Sequence, residues 1–325
     1  MQLLYLTVIL ASLARVRSQD LNSTIVGCAQ LDCPASTADT ANDNCTVADK
    51  SFTYVGLTQL TSSQESLQRL SWTKGFKIID LPNNNRTFQN SFYLGSPPDL
   101  ELRGTGACSV FLHGVSASLA FGGDEGRNET SQGTCADAMG SECVSALLDR
   151  AKSFFQDPAN DNTSNTNRCS ALQEHLHNNV DGPCLRISGG SWTNLSSTGL
   201  TGDGSPQPIS QEDNSTSTCW PVLPKQNQLT HVTDYTVPGT LLAKDAETAL
   251  LAITPILTVF YPAREESVVR DVDASLTCVK VLGPPRASLD TISDGSGEGF
   301  AASLSPSMTT LVAMGSLLAV LFVAV

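Results

Sequence analysis

Ten cysteines constrain this 325-residue chain more than any other feature of its sequence. Their number is even, they all lie between positions 28 and 278, and no two of them form a C-x-x-C motif. Such a set behind a cleavable leader is typical of disulfide bonds formed in an oxidising compartment, rather than of a zinc site. We therefore predict five disulfide bonds and neither a metal nor a cofactor. The cysteines are Cys28, Cys33, Cys45, Cys108, Cys135, Cys143, Cys169, Cys184, Cys219 and Cys278.

The N-terminus has the layout of a signal peptide. Residues 3–14 form an uncharged, mostly apolar run, which is too short to span a bilayer comfortably and has the length of a signal-peptide core. Val16 and Ser18 supply the medium and small residues of a cleavage site, so we place cleavage after Ser18, with cleavage after Ala14 as the alternative. Residues 1–18 are then absent from the mature chain.

The C-terminus has the layout of a signal for attaching a glycosylphosphatidylinositol (GPI) anchor. Residues 311–325 are apolar and no Lys or Arg follows them, whereas small residues dominate 293–299. A small-residue site, a spacer and a terminal apolar tail are typical of GPI attachment. We predict attachment at Gly297, after a stalk of residues 284–297, and removal of 298–325; a tail-anchored transmembrane helix and a buried helix are the alternatives. The other candidate attachment residues are Gly295 and Ser293.

The net charge of −13 excludes one class of partner. A surface of that sign repels phosphate backbones, so we predict no nucleic-acid binding. It also disfavours docking to anionic lipid through a basic patch. Membrane association is therefore expected through the lipid anchor.

Seven N-x-S/T sequons are spread along the mature chain. In a secreted protein such sequons mark exposed loops that carry N-linked glycans. We therefore predict a heavily glycosylated surface. The acceptor residues are Asn22, Asn44, Asn85, Asn128, Asn162, Asn194 and Asn214.

Short segments with the period of β-strands dominate residues 51–121. Aromatic and β-branched residues recur there between turn-forming Gly, Pro and Asn residues, which favours a sandwich or a barrel. Strand-like runs return at 219–237 and 275–282, residues 241–261 are ambiguous between helix and strand, and the polar stretch 191–218 is predicted to be a glycosylated loop. The predicted strands of the first region are 52–57, 76–81, 88–94, 108–112 and 115–121.

A helical pattern begins at residue 134. Apolar residues recur every three or four positions over 144–155 and 172–180, and a proline-containing turn ends each run. We predict a helical hairpin at 134–185, inserted between β-rich parts at 19–133 and 186–283. The predicted fold is therefore mainly β and sandwich-like, with a disulfide-tied α-helical hairpin insertion.

The spacing of the cysteines suggests a grouping of the bonds without determining it. Cys219 and Cys278 remain together on the C-terminal side. Cys28, Cys33 and Cys45 form a group of three, so one of them must bond elsewhere, and Cys108 is the natural candidate. The cysteines of the hairpin, which we predict to pair among themselves, are Cys135, Cys143, Cys169 and Cys184.

Acidic pairs are the candidate catalytic residues. A G-x-S-x-G motif is absent, and His175 and His177 lie two apart on a predicted helix, where their side chains diverge and cannot share a metal. His113 lies in an apolar run and is expected to be a hydrogen-bonded core or interface residue. Glycoside hydrolysis needs two carboxylates across a cleft, but an acidic chain contains neighbouring acids by composition alone, so we predict no hydrolytic turnover. The candidate carboxylates are Asp99, Glu101, Asp124 and Glu125.

Carbohydrate binding would require aromatic side chains exposed on a sheet face. Aromatic residues within strands are more often part of the core than of such a surface. The candidates for an exposed aromatic face are Trp72, Trp192, Trp220, Tyr93 and Tyr235.

Two N-terminal blocks and the C-terminal tail carry a resemblance to a known class of proteins. The blocks are Gly-Cys-Ala-Gln-Leu-Asp-Cys-Pro at 27–34 and Asn-Cys-Thr-Val-Ala-Asp-Lys at 44–50. Together with the apolar tail they resemble GPI-anchored surface glycoproteins of filamentous fungi. The resemblance implies delivery by the secretory pathway to the outer leaflet of the plasma membrane or to the cell wall, and it brings no known activity.

Two classes of function are compatible with these features. The first is a non-catalytic, GPI-anchored glycoprotein that is structural, adhesive or glycan-binding, with cell-wall polysaccharide as the candidate partner. The second is a GPI-anchored glycoside hydrolase or transglycosylase that uses paired carboxylates. Two carboxylates about 5–10 Å apart in a cleft would favour the enzyme, and a flat aromatic face would favour the binding protein.

Overall fold

The computed structural model describes residues 25–31, 33, 45–83, 85–122, 127–160 and 165–282. The predicted signal peptide, stalk and GPI signal lie outside these residues. Other predicted site residues that lie outside them are Asn22, Asn44, Asp124, Glu125, Asn162 and Gly297.

The described part of the chain is mainly β, as predicted, with three antiparallel sheets and a smaller helical component. In chain order the strands are β1 (Cys45–Val47), β2 (Lys50–Phe52), β3 (Tyr54–Gln59), β4 (Ser71–Leu81), β5 (Asn85–Ser96), β6 (Thr105–Leu112), β7 (Leu195–Gly199), β8 (Gln228–Thr240), β9 (Thr254–Pro262) and β10 (Asp273–Val279). The α-helices are α1 (Cys135–Met139), α2 (Ser141–Gln156), α3 (Asn165–Asn178), α4 (Leu185–Ser188), α5 (Gln211–Asn214) and α6 (Ala243–Leu250).

Two four-stranded sheets pack face to face to form a sandwich. The front sheet has the order β3-β4-β5-β8 and the back sheet the order β10-β9-β6-β7. Alternation along β4 and β5 directs Trp72 and Phe92 into the space between the sheets, where they pack with Phe111 and Phe260 of the back sheet. Burial of these large side chains supplies the main inter-sheet core.

Helices cover the outer face of the back sheet. The apolar stripes of α2 and α3 include Leu147 and Leu172, which pack in one cluster with Val110 of β6 and Leu257 of β9. The helices therefore bury their stripes against strands, so the predicted insertion is a layer of the fold.

This packing corrects the predicted disulfide pairing of the insertion. Only the Cys143–Cys184 bond stays within it, whereas Cys169 of α3 bonds Cys108 of β6, and Cys135 of α1 bonds Cys278 of β10. The physical reason is that the buried face of each helix, which carries the cysteine, faces a strand. The predicted self-contained module is therefore wrong.

The outer face of the front sheet is also covered. The β1–β2 hairpin and residues 219–223 pack there, with Val222 and Cys219 contacting the cluster that contains Leu57 and Tyr93. Backbone amides of Thr218 and Cys219 both donate to the carbonyl oxygen of Thr46, at 2.9 and 3.2 Å. Cys219 therefore meets the N-terminal cysteines, so the suggested grouping of Cys219 with Cys278 is wrong. The expected bond between Cys108 and an N-terminal cysteine is wrong as well, because Cys108 bonds Cys169.

Two local predictions also need correction, and the structure resolves one ambiguity. Residues 115–121 are not a strand, since the 3-10 turn His113–Val115 follows β6 directly. The stretch 191–218 is not a loop throughout, because it contains the edge strand β7 and the short helix α5. The ambiguous stretch 241–261 contains both elements, the helix α6 followed by the strand β9.

Candidate functional site

Asp99 and Glu101 lie on the exposed connection between β5 and β6. An Asp99 carboxylate oxygen is 3.2 Å from a guanidinium nitrogen of Arg69. A Glu101 carboxylate oxygen is 3.3 Å from Arg103. Both acids are about 70% exposed, so each forms its own solvated ion pair. An inverting or retaining glycosidase instead needs its two carboxyl groups to face each other across a bound sugar.

Most of the candidate aromatic residues lie in the interior. Trp72 is fully buried between the sheets and its indole nitrogen donates to Thr258 Oγ1 at 3.0 Å. Trp192 and Tyr93 are also buried, under the helices and under the β1–β2 hairpin respectively. Trp220 and Tyr235 are half-buried. These five residues therefore do not form one exposed aromatic face.

A buried lysine lies between the two sheets. Lys74 is on the inner face of β4, and its Nζ donates to the carbonyl oxygen of Ala252 at 2.8 Å and to Thr254 Oγ1 at 3.3 Å. Within the described ranges, no carboxylate forms an ion pair with it. Burial, and then the positive charge of Lys280, lower the pKa of Lys74 to about 7.

His113 lies beside this lysine at the end of β6. Its Nε2 is 2.9 Å from Ser196 Oγ, and its ring stacks on Tyr235 with 3.8 Å between the ring centroids. Burial, and then the charge of Lys74, lower the pKa of His113 to about 3, so the imidazole is neutral at physiological pH. The expectation of a hydrogen-bonded core or interface histidine is confirmed.

A second polar cluster, on the outer face of the front sheet, was not predicted. One Asp234 carboxylate oxygen is 3.0 Å from His231 Nε2, and the other is 2.8 Å from Lys50 Nζ. Partial burial by itself would raise the pKa of Asp234, but hydrogen bonds from His231 and Lys50 outweigh it and hold the pKa far below its ordinary value. The carboxylate therefore stays ionised and joins β8 to the β1–β2 hairpin.

A β-bulge explains how residues three apart on one strand share a face. In the register of β5 with β8, Phe92 lies opposite Thr233 and Tyr93 lies opposite His231, so Val232 is the extra residue. This insertion reverses the alternation of side chains along β8. The His-x-x-Asp spacing was visible in the sequence, but nothing local indicated the bulge.

The candidate metal ligands among the histidines do not meet. His177 Nδ1 is 2.6 Å from the carbonyl oxygen of Trp192, whereas the ring of His175 packs near Phe154. The described residues do contain one close group of possible ligands, the thiol sulfurs of Cys33, Cys45 and Cys219. The sulfur atoms of Cys33 and Cys45 are each close enough to that of Cys219 to form a disulfide bond with it.

A small surface cavity of about 270 Å³ lies at the end of α2 beside β9. The Arg168 guanidinium carbon is 4.4 Å from the centroid of the Tyr261 ring and 5.0 Å from that of Phe155, a cation–π arrangement. Arg270 and Asp157 also line the cavity. The two rings and Arg168 are buried against one another, so the exposed Arg270 and Asp157 are the polar groups that the cavity offers to a ligand.

The described sequon asparagines lie at the surface. Asn85, Asn128 and Asn194 are exposed, and Asn214 is half-buried at the end of α5. The side-chain oxygen of Asn128 accepts hydrogen bonds from the backbone amide and the hydroxyl group of Thr130, at 3.0 and 3.1 Å. Their glycosylation remains a prediction.

Comparison with protein-family models, curated proteins and solved structures found no match to this chain. None of the helices in the described part of the chain is both long and apolar enough to cross a bilayer.

Proposed function

We propose that the chain is a non-catalytic, GPI-anchored cell-surface glycoprotein of the fungal type, with a structural, adhesive or glycan-binding role at the cell wall. The observation that carries this proposal is the placement of Asp99 and Glu101. Each is solvated and neutralised by its own arginine, so neither is positioned to protonate or attack a glycosidic bond held between them. The buried disulfide bonds, the surface sequons and the net charge of −13 agree with an extracellular glycoprotein.

The cavity beside Arg168 is the candidate binding site for a glycan. Arg270 is the exposed guanidinium at its edge, and a guanidinium can donate paired hydrogen bonds to sugar hydroxyl or carboxylate groups. Its partner would be a cell-wall polysaccharide.

Anchoring can be tested on intact cells. Phospholipase C specific for phosphatidylinositol should release the protein from membranes, because a GPI anchor is held only by its lipid chains. Mass spectrometry of the released protein should find no peptide from residues 311–325. Retention after treatment, with that peptide still attached, would contradict the GPI anchor.

Glycan binding and hydrolysis can be separated in one set of assays. The protein should bind a cell-wall polysaccharide on a glycan array without generating new reducing ends. Arg270→Ala should weaken that binding about 10- to 150-fold, since loss of a charge-assisted hydrogen bond costs roughly 1.5–3 kcal/mol. Lys244→Ala, at an exposed position of α6, is the matched control and should leave binding unchanged.

The same assays test the enzymatic alternative. Single variants Asp99→Asn, Glu101→Gln, Asp124→Asn and Glu125→Gln should leave glycan binding within a few-fold of the unmodified protein. If the unmodified protein cleaves a β-glucan or chitin oligomer, and one of these variants loses that cleavage a hundredfold, the protein is a carbohydrate-active enzyme instead.

A further inference from the structure

Three buried cysteines from distant parts of the chain meet at one point. The sulfur atoms of Cys33, Cys45 and Cys219, which we call the cysteine triad, all lie within 4.8 Å of one another. The Cα atoms of Cys33 and Cys45 are 5.0 and 4.9 Å from that of Cys219, and both distances suit a disulfide bond. Because a disulfide sulfur has one sulfur partner, the triad holds one bond and one thiol.

We propose that the cysteine triad is a thiol–disulfide exchange site, in which Cys219 bonds either Cys33 or Cys45. The thiolate of the unbonded cysteine attacks Cys219 Sγ and forms the new S–S bond, while the old S–S bond breaks and its electron pair leaves on the departing sulfur. The departing thiolate takes up the proton that the attacking thiol lost. The step neither gains nor loses electrons, so it needs no oxidant.

The surroundings make the two bonds unequal. Cys33 Sγ lies 3.8 Å from the carbonyl oxygen of Leu31, which can accept a hydrogen bond from its thiol. The Lys225 ammonium group donates to that same carbonyl oxygen, and to the carbonyl oxygen of Trp220 at 3.0 Å. A nearby cation stabilises a thiolate and makes its sulfur the better leaving group. The Cys45–Cys219 bond should therefore predominate, with Cys33 as the thiol.

Exchange changes which segment is covalently bonded to Cys219. In the Cys45–Cys219 form the bond ties residues 219–223 to β1, beside the hydrogen bonds that Thr46 already accepts from that segment. In the Cys33–Cys219 form it ties the N-terminal segment instead. The cysteine triad can thus connect residues 219–223 covalently either to β1 or to the N-terminal segment.

Cys28 provides a second free thiol. It is half-buried and stands outside every disulfide bond, and burial raises the pKa of its thiol. The ten cysteines therefore form four bonds, and Cys28 and one member of the triad remain as thiols. On this proposal the bonds number four, one fewer than the five expected from the sequence.

Peptide mapping of the full-length secreted protein tests the proposal. Free thiols are trapped with N-ethylmaleimide under denaturing conditions at pH 6, and the chain is digested without reduction. We expect two labels per chain, and both triad bonds, with Cys45–Cys219 at least threefold in excess. Full oxidation with Cys28 bonded to a triad member, or one triad bond alone, would overturn the proposal. So would a zinc or copper ion bound to three triad thiols.

Variants test separately whether Cys219 can exchange partners and why one bond predominates. Cys45→Ser should convert the whole population to the Cys33–Cys219 bond, and Cys33→Ser to the Cys45–Cys219 bond; a labelled Cys219 in either variant would overturn the exchange. Lys225→Met should lower the ratio of the two bonds at least threefold, whereas the control Lys244→Met should not alter it. An unchanged ratio in Lys225→Met would refute the electrostatic preference.

Discussion

Replacing Cys135 and Cys278 together with alanine should lower the free energy of unfolding by about 2–5 kcal/mol. Their bond closes 143 residues of chain and ties α1 to β10, at the edge of the back sheet. Both cysteines are buried at the interface between helix and strand. Urea denaturation measures the effect, which should appear as a lower midpoint and a steeper dependence on urea concentration, because the unfolded chain without this bond exposes more surface.

The Cys143→Ala/Cys184→Ala double variant is the matched control, because that bond is also buried but closes 41 residues. Loop-closure entropy makes the longer bond more stabilising by about 1 kcal/mol. Equal losses in the two double variants would show that chain entropy does not set the difference. A non-reducing peptide map that joins Cys135 to Cys143, Cys169 or Cys184 would contradict the observed pairing outright.

Replacing Lys74 with methionine should stabilise the protein more strongly as the pH falls. In the unfolded chain this amine has a pKa near its ordinary value of 10.5, whereas in the folded protein burial, and then the charge of Lys280, lower it to about 7. Between these two values the unfolded chain binds the proton more tightly. Folding is therefore penalised increasingly as the pH falls from about 10 to about 7, and the penalty is constant below that.

The expected size of this effect follows from the pKa difference. From pH 9.5 to pH 6 the stability of Lys74→Met relative to the unmodified protein should rise by about 3 kcal/mol, at 1.36 kcal/mol per pKa unit. Urea midpoints at the two pH values measure it. Lys244→Met is the control, since water hydrates that exposed ammonium group in both states. If Lys74→Met changed the free energy of unfolding equally at both pH values, as the control should, Lys74 would not be buried without a compensating negative charge.

The sequence predicted local elements well where apolar residues recur with the period of a helix or a strand. The predicted runs 76–81, 88–94 and 108–112 lie within β4, β5 and β6, and the apolar stripe 144–155 lies within α2. Periodicity of this kind reflects the geometry of one element against one surface, so it can be recognised without knowing what that surface is.

Elements that depend on a neighbour were missed. The residues of β7 are small and polar apart from Leu195, and they form a strand because their backbone groups pair with β6 at the sheet edge. The pairing of Asp99 with Arg69 likewise joins residues thirty positions apart. The site formed by His231 and Asp234 depends on a bulge whose presence follows from the register with β5.

Composition and cysteine number were sufficient to predict a disulfide-bonded, mainly β protein, because hydrophobic alternation and an even cysteine count are properties of the chain itself. The bonding partners were not predictable in the same way. Cys108 bonds Cys169 and Cys135 bonds Cys278 because the helices lie on the back sheet, and Cys219 meets Cys33 and Cys45 because a separate layer lies on the front sheet. A disulfide requires Cα atoms within about 7 Å, and which cysteines come that close depends on how the layers stack.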